Sequence, residues 1–219
     1  MKSMDDYPNY TLNERIADSV IHVIGIAFSI SALSVMMTFS GLQQPYYATI
    51  TLAIYGVAMV LMFTCSAAYH MVPMMNWKGW LRRFDHAAIF LKIAATYTPF
   101  AFLKLGGYLG YGLLSTVWIV AIVGIGIVLS MHRGRSHYIV FLYLALGWVG
   151  VIIIWPLAMS MSTLAFSLIC VGGALYSIGT IFHVWESLPF SNAIWHLFVL
   201  LATVCHFFAV FVAVIVDGI

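Results

Sequence analysis

The chain reads as an all-α integral membrane protein, a single bundle of seven transmembrane helices. Three observations carry that reading. Of 219 residues, 63% are hydrophobic and 7% charged, and mean hydropathy is +1.04. A soluble domain carries about 25% charged residues, so this surface faces lipid. The apolar residues fall into seven stretches, each near the roughly 20 residues that cross a hydrocarbon core. Finally, the polar or turn-forming breaks between the stretches are short, which makes neighbouring helices antiparallel members of one bundle.

Residues 1–17 form a polar N-terminal segment and 18–219 the transmembrane domain. Asp5, Asp6, Glu14 and Asp18 make the start acidic. That is unlike the basic start of a signal peptide, so the segment is expected to be retained. The expected spans are 18–40, 46–71, 84–105, 108–131, 138–158, 162–185 and 192–216. They are separated at 41–45, 73–83, 106–107, 132–137, 159–161 and 186–191. Lys2, Arg15, Lys78, Arg82, Arg83, Arg133 and Arg135 fall in the N-terminal segment and the second and fourth breaks, while the opposite breaks hold only Lys104. The positive-inside rule then places the N-terminus in the cytoplasm and the C-terminus outside.

Several function classes are excluded. The net charge of +2 comes without a basic patch, so no nucleic-acid partner is expected. There is no Gly-x-Ser-x-Gly elbow, phosphate-binding loop or His-Glu-x-x-His run. No pair of broken helices repeats between the halves as in many transporters. Cys65, Cys170 and Cys205 lie in apolar stretches without a Cys-x-x-Cys pair, and read as free, buried, inert thiols.

The polar residues that remain inside the spans carry the functional signal, because ionisable groups in a membrane are expensive. Ser66 and His70 close span 2, Asp85 and His86 open span 3, and Asn192 and His196 open span 7, all at the expected cytoplasmic edge. Ser66 and His70 share a helix face, as do Asn192 and His196, four residues apart in each case. Two histidines and a carboxylate converging from three helices suggest a zinc site able to activate water. His70 and His196 suit zinc through neutral imidazole. Asp85 is either a ligand or a base beside the metal, and can also N-cap span 3. Ser66 either hydrogen-bonds the water or Asp85, or bonds back to its own helix.

Other polar positions carry alternatives. Glu14, Asp18 and His22 form a stripe that either closes the pocket or is the solvated start of a span. Lys92 either pairs with a buried acid, or snorkels towards a lipid phosphate, or is structural. His183 is a spare ligand. His206 lies about 15 Å along the helix from His196, too far to join the same site. His132 and His137 read as headgroup contacts.

The segments Ser66-Ala-Ala-Tyr-His70, Phe84-Asp-His86, Ala95-Thr-Tyr-Thr-Pro-Phe100, Ala193-Ile-Trp-His196-Leu-Phe-Val and Glu14-Arg-Ile-Ala-Asp18-Ser-Val-Ile-His22 resemble the bacterial hemolysin III family. That family is the bacterial branch of the progestin and adipoQ receptors, more distantly related to alkaline ceramidases. The resemblance spans essentially the whole chain. It implies seven spans in the bacterial inner membrane, a cytoplasmic N-terminus and zinc near the cytoplasmic leaflet. It further implies that His70 and a His-x-x-x-His pair on span 7 hold the metal, with Ser66 and Asp85 holding the activated water. The span-7 pair here reads Asn192-Ala-Ile-Trp-His196, so asparagine stands where the family pattern has histidine. The metal set expected is therefore His70, His196 and Asn192, with His183 or Asp85 available to complete it.

The leading expectation is a zinc-dependent hydrolase of a lipid amide or ester, with membrane lipid as substrate or ligand. The alternatives are a non-catalytic sensor or regulator with structural zinc, and a cytolytic or pore-forming protein. No span offers the long polar face that would line an aqueous pore.

Overall fold

The computed structural model describes residues 10–72, 76–130, 136–185 and 187–219, with residues 136 and 137 described in backbone only. Lys2, Asp5, Asp6, His132, Arg133, Arg135 and Glu186, and the side chain of His137, lie outside the described residues.

Among the described residues, seven helices are long and apolar enough to cross a membrane, and the protein is a multi-pass membrane protein. They are built from α1 (Leu12–Gln43), α2 (Tyr46–Met71), α3 (Lys78–Pro99), α4 (Gly107–Ser130), α5 (Ser136–Trp148), α6 (Ile154–Met159), α7 (Thr163–Val184) and α8 (Ser191–Phe211). π-Helical turns extend α3 through Phe100–Leu105 and α8 through Val212–Val216. A 3₁₀ segment, Val149–Ile153, joins α5 and α6 into one span.

The helix starts differ from the hydropathy reading, for identifiable reasons. α1 begins at Leu12 rather than residue 18 because Thr11 and Glu14 form a capping box: the Glu14 N–H donates to Thr11 Oγ1 at 3.3 Å, and Glu14 Oε2 accepts from the Thr11 N–H at 2.8 Å. α3 begins at Lys78 rather than residue 84, so Asp85 lies in its second turn and is not an N-cap. Lys78 Nζ turns back to the carbonyls of Tyr69 and Val72, satisfying the end of α2.

Span 5 is broken where Pro156 falls. Proline has no N–H to donate and its ring clashes with the carbonyl four residues back, here that of Ile152. Tyr97 on α3 repairs part of the damage: its hydroxyl donates to the Gly147 carbonyl at 2.5 Å and accepts from the Gly150 N–H at 3.0 Å. Such repair is required in lipid, where no water can satisfy an open backbone group.

α1 packs against both α2 and α8, closing the first spans onto the last. A methyl group on Gly25 would meet the Phe63 ring at 2.5 Å, so this glycine sets how closely α1 approaches α2. One core cluster joins Met36, Leu52, Met59, Phe63 and Phe207; a second joins Phe90, Val117, Ala121 and Leu146. A cavity lies between them, lined by Met62 and Phe63 on one side and by Leu113 and Tyr143 on the other. The outward faces are apolar, as lipid contact requires. All three cysteines are free, but none is fully buried: Cys65 and Cys205 are part-buried, and Cys170 is exposed and lines the cavity.

Candidate metal centre

The centre forms because polar residues repeated every four positions on α1 meet polar residues on α2, α3 and α8. Glu14, Asp18 and His22 share one helix face, and each reaches a different partner. Glu14 Oε1 accepts from the Phe190 N–H at 2.8 Å, tying α1 to the left-handed residue (φ 61°) that precedes α8. Asp18 accepts from His196 Nδ1 at 2.6 Å and from Asn192 Nδ2 at 3.1 Å. His22 Nδ1 donates to the Asp18 carbonyl at 2.8 Å. Asp18 is 8% exposed and His22 1%, and His22 lines the pocket, whereas Glu14 stays at the partly exposed start of the helix.

His70 completes a group of three imidazoles from three helices. Ring centroids lie 4.4 Å apart for His22 and His196, 4.7 Å for His70 and His196, and 5.5 Å for His22 and His70. On its other side, His70 Nε2 is 3.9 Å from Asp85 Oδ2, and Asp85 lies 3.6 Å from His86 Nδ1. Ser66, buried one turn below His70, does not bond back to its own helix. Its Oγ lies 3.1 Å from His22 Nε2 and 3.5 Å from His196 Nε2.

The hydrogen bonds fix most of the tautomers. A carboxylate and a carbonyl can only accept, so the Nδ1 atoms of His196 and His22 both carry protons. In neutral rings both Nε2 lone pairs then point at Ser66 Oγ, whose single hydrogen can serve only one of them. A cation between the rings, or one further proton, supplies what is missing. Asp18, His22 and His196 can each offer a ligand atom with all three within 4.8 Å of one another. Imidazole nitrogen and carboxylate oxygen are the donors that zinc and other divalent first-row metals take. The residues present therefore fit a metal ion.

Asn192 presents its donor end to this group. Its Nδ2 lies 3.3 Å from His70 Nδ1 and 3.4 Å from His196 Nδ1, besides its bond to Asp18. Since His196 Nδ1 already donates to Asp18, the second amide hydrogen goes to His70. As placed, Asn192 orients Asp18 and His70 through hydrogen bonds. His183 packs its ring on Trp195 at 5.1 Å, and His206 packs on Tyr176 at 5.6 Å, deeper in the bundle. Asp18 is the residue least visible in the sequence. Its signals are the Glu-x₃-Asp-x₃-His spacing and the resemblance of the Glu14–His22 segment, neither of which says which helix α1 meets.

The histidines sit at one end of a cavity of about 670 Å³, whose polar end includes His22, Ser66, His70 and Asp85. That volume lies within the range of ligand sites, roughly 300–1,000 Å³. Trp148, Val151 and Ile154 line the cavity and are also 42% to 49% exposed, so its wall at the break in span 5 reaches the lipid-facing surface. Arg15, Lys78, Arg82 and Arg83 lie at the same end of the bundle as the histidines, near the starts of α1 and α3.

A seven-span membrane protein with a buried histidine–carboxylate centre at the mouth of a ligand-sized cavity is the class that fold and site define. The chain belongs to the haemolysin III-related family, whose model matches residues 10–207. It is 39% identical over 201 residues to the hemolysin-3 homolog of Bacillus subtilis, covering 92% of this chain and 94% of that one. It is 38% identical over 199 residues to hemolysin-3 of Bacillus cereus, covering 91% of each. Similarity extends to the human monocyte to macrophage differentiation factor, 29% identical over 178 residues, covering 77% of this chain and 72% of that one. No solved structure matches the chain significantly.

Proposed function

We propose that the protein is a zinc-dependent hydrolase of a lipid amide or ester in a bacterial inner membrane, with its histidine cluster at the cytoplasmic leaflet. The observation that carries this reading is the convergence of His22, His70 and His196 with Asp18 and Asp85 at the polar end of an otherwise largely apolar cavity. Basic residues at the same end support the cytoplasmic orientation.

Asp18, His22 and His196, with His70 beside them, would hold the metal, and Asn192 and Asp18 would hold the rings in place. Zinc, when bound, supplies a Lewis acid that makes water acidic near neutral pH. The chain's own groups do the rest. The apolar walls take up the acyl chain and exclude bulk water. Asp85 receives a proton from the attacking water, and its contact with His70 keeps the carboxylate oriented. Ser66 positions the water and the scissile carbonyl through its hydroxyl. A two-carboxylate, three-imidazole site can therefore separate metal holding, by Asp18 and the rings, from proton transfer, by Asp85.

The test is metal content of purified, chelator-washed protein by mass spectrometry, beside release of free fatty acid from ester- and amide-linked lipids. Stoichiometric zinc lost in Asp18→Ala, with acid release lost in Asp85→Asn, supports the reading. Zinc without hydrolysis moves the function to a regulator in which zinc ties the first and last spans together. Absence of zinc from the wild type and from Asn192→His overturns it.

A further inference from the structure

A second polar group sits deep in the same cavity, and the proposed hydrolase does not use it. Lys92 follows Asp85 by seven residues on α3, about 10 Å further along the helix and near the middle of its span. The side chain neither snorkels nor meets an acid. It is 2% exposed, and its ammonium lies 5.5 Å from the Tyr55 ring centroid and 5.4 Å from that of Tyr176. Among the described residues no carboxylate and no hydrogen-bond acceptor pairs with it. The hydroxyl of Tyr55 is also buried, without a partner among the described residues. Lys92, Thr96, Tyr176 and His206 all line the cavity.

An uncompensated ammonium in the middle of a membrane is unstable unless something neutralises it. The aromatic faces satisfy it in part. Loss of the proton would remove the charge; an anion compensates it with the proton kept, and the cavity that Lys92 lines offers such an anion a route to Nζ. Its apolar walls and its contact with the lipid-facing surface restrict that anion to an amphiphile. A single carboxylate is also far cheaper to bring to mid-bilayer depth than a phosphate.

The geometry points to a carboxylate-binding site at Lys92, occupied by a long-chain carboxylate whose chain lies along the cavity. The site is separate from the histidine cluster and needs no metal. It also does not depend on hydrolysis, since a bound fatty acid need not be a product of this protein.

The test uses the full-length, chelator-washed protein in non-ionic detergent, titrated with cis-parinaric acid and with its methyl ester as fluorescent probes. A charge-assisted contact in a buried site predicts that the acid binds at least about tenfold tighter than the ester. In Lys92→Met, a substitution of similar shape, the acid falls to the affinity of the ester while ester binding persists and reports an intact cavity. In His70→Ala the preference for the acid remains. Equal affinities in the wild type, no saturable binding of either probe, or a preference that survives Lys92→Met overturns the proposal. So does a preference lost in His70→Ala and kept in Lys92→Met, which would seat the carboxylate on the histidines. Because the readout is binding without metal, these failures are distinct from a failure to hydrolyse lipid.

Discussion

The two polar ends of one cavity are built on opposite terms. At the histidine end, Asp18, Asn192, His22, His196 and Ser66 hold one another through hydrogen bonds of 2.6 to 3.5 Å. At the inner end, Lys92 and the Tyr55 hydroxyl have no such partners among the described residues. A buried polar network in which nearly every group has a partner adds rigidity and fixes geometry, which a metal site needs. A buried polar group left open lowers stability until a ligand arrives. Substitutions at the two ends should therefore move stability in opposite directions.

The largest effect is expected at Asp18, the acceptor for both His196 and Asn192. Asp18→Ala leaves buried donors without an acceptor and should lower stability by about 3 kcal/mol, read as a fall in Tm in detergent. An unchanged Tm would show that the network contributes no rigidity. Next comes Tyr97, which satisfies two backbone groups at the break in span 5. Tyr97→Phe should cost about 2 kcal/mol and increase hydrogen exchange at Gly147–Gly150, without affecting metal content. Lys92→Met should raise the Tm of the ligand-free protein by the equivalent of about 1 kcal/mol, because an unpaired buried cation is replaced by an apolar chain. A destabilised Lys92→Met would erase the contrast between the two ends. The smallest effect belongs to the helix cap: Thr11→Ala should cost about 0.5–1 kcal/mol, and exchange measurements should confine the loss to the first turns of α1.

The seven spans were legible because hydropathy is a property of composition, which survives errors of a few residues. Their ends were not. A hydropathy window discards Glu14 and Lys78 as polar, although Glu14 caps its helix and Lys78 closes the end of α2. Pro156 is plain in the sequence, yet whether it ends a span or only interrupts one depends on Tyr97, 59 positions earlier. The nearness of Ser66, His70, Asp85 and His196 to one another was legible, since each falls at the same end of its span. The role of Asp18 depends on α1 lying against α8, a contact between the first and last spans that no local pattern encodes. The partnerless state of Lys92 among the described residues was equally hidden, because the sequence shows an acid two turns away on the same helix but not whether another helix brings one nearer.

The bond from Glu14 to the Phe190 N–H spans 176 positions, and it has a consequence for biosynthesis. Spans enter the membrane in the order of synthesis, so Asp18, His22 and Ser66 are in the bilayer well before His196 exists. For that interval a carboxylate and an imidazole lie among hydrocarbon with half of their partners missing. The nascent chain is thus least at ease just before it is finished, and insertion of the last helix relieves it. A chain terminated before residue 196 never reaches that relief.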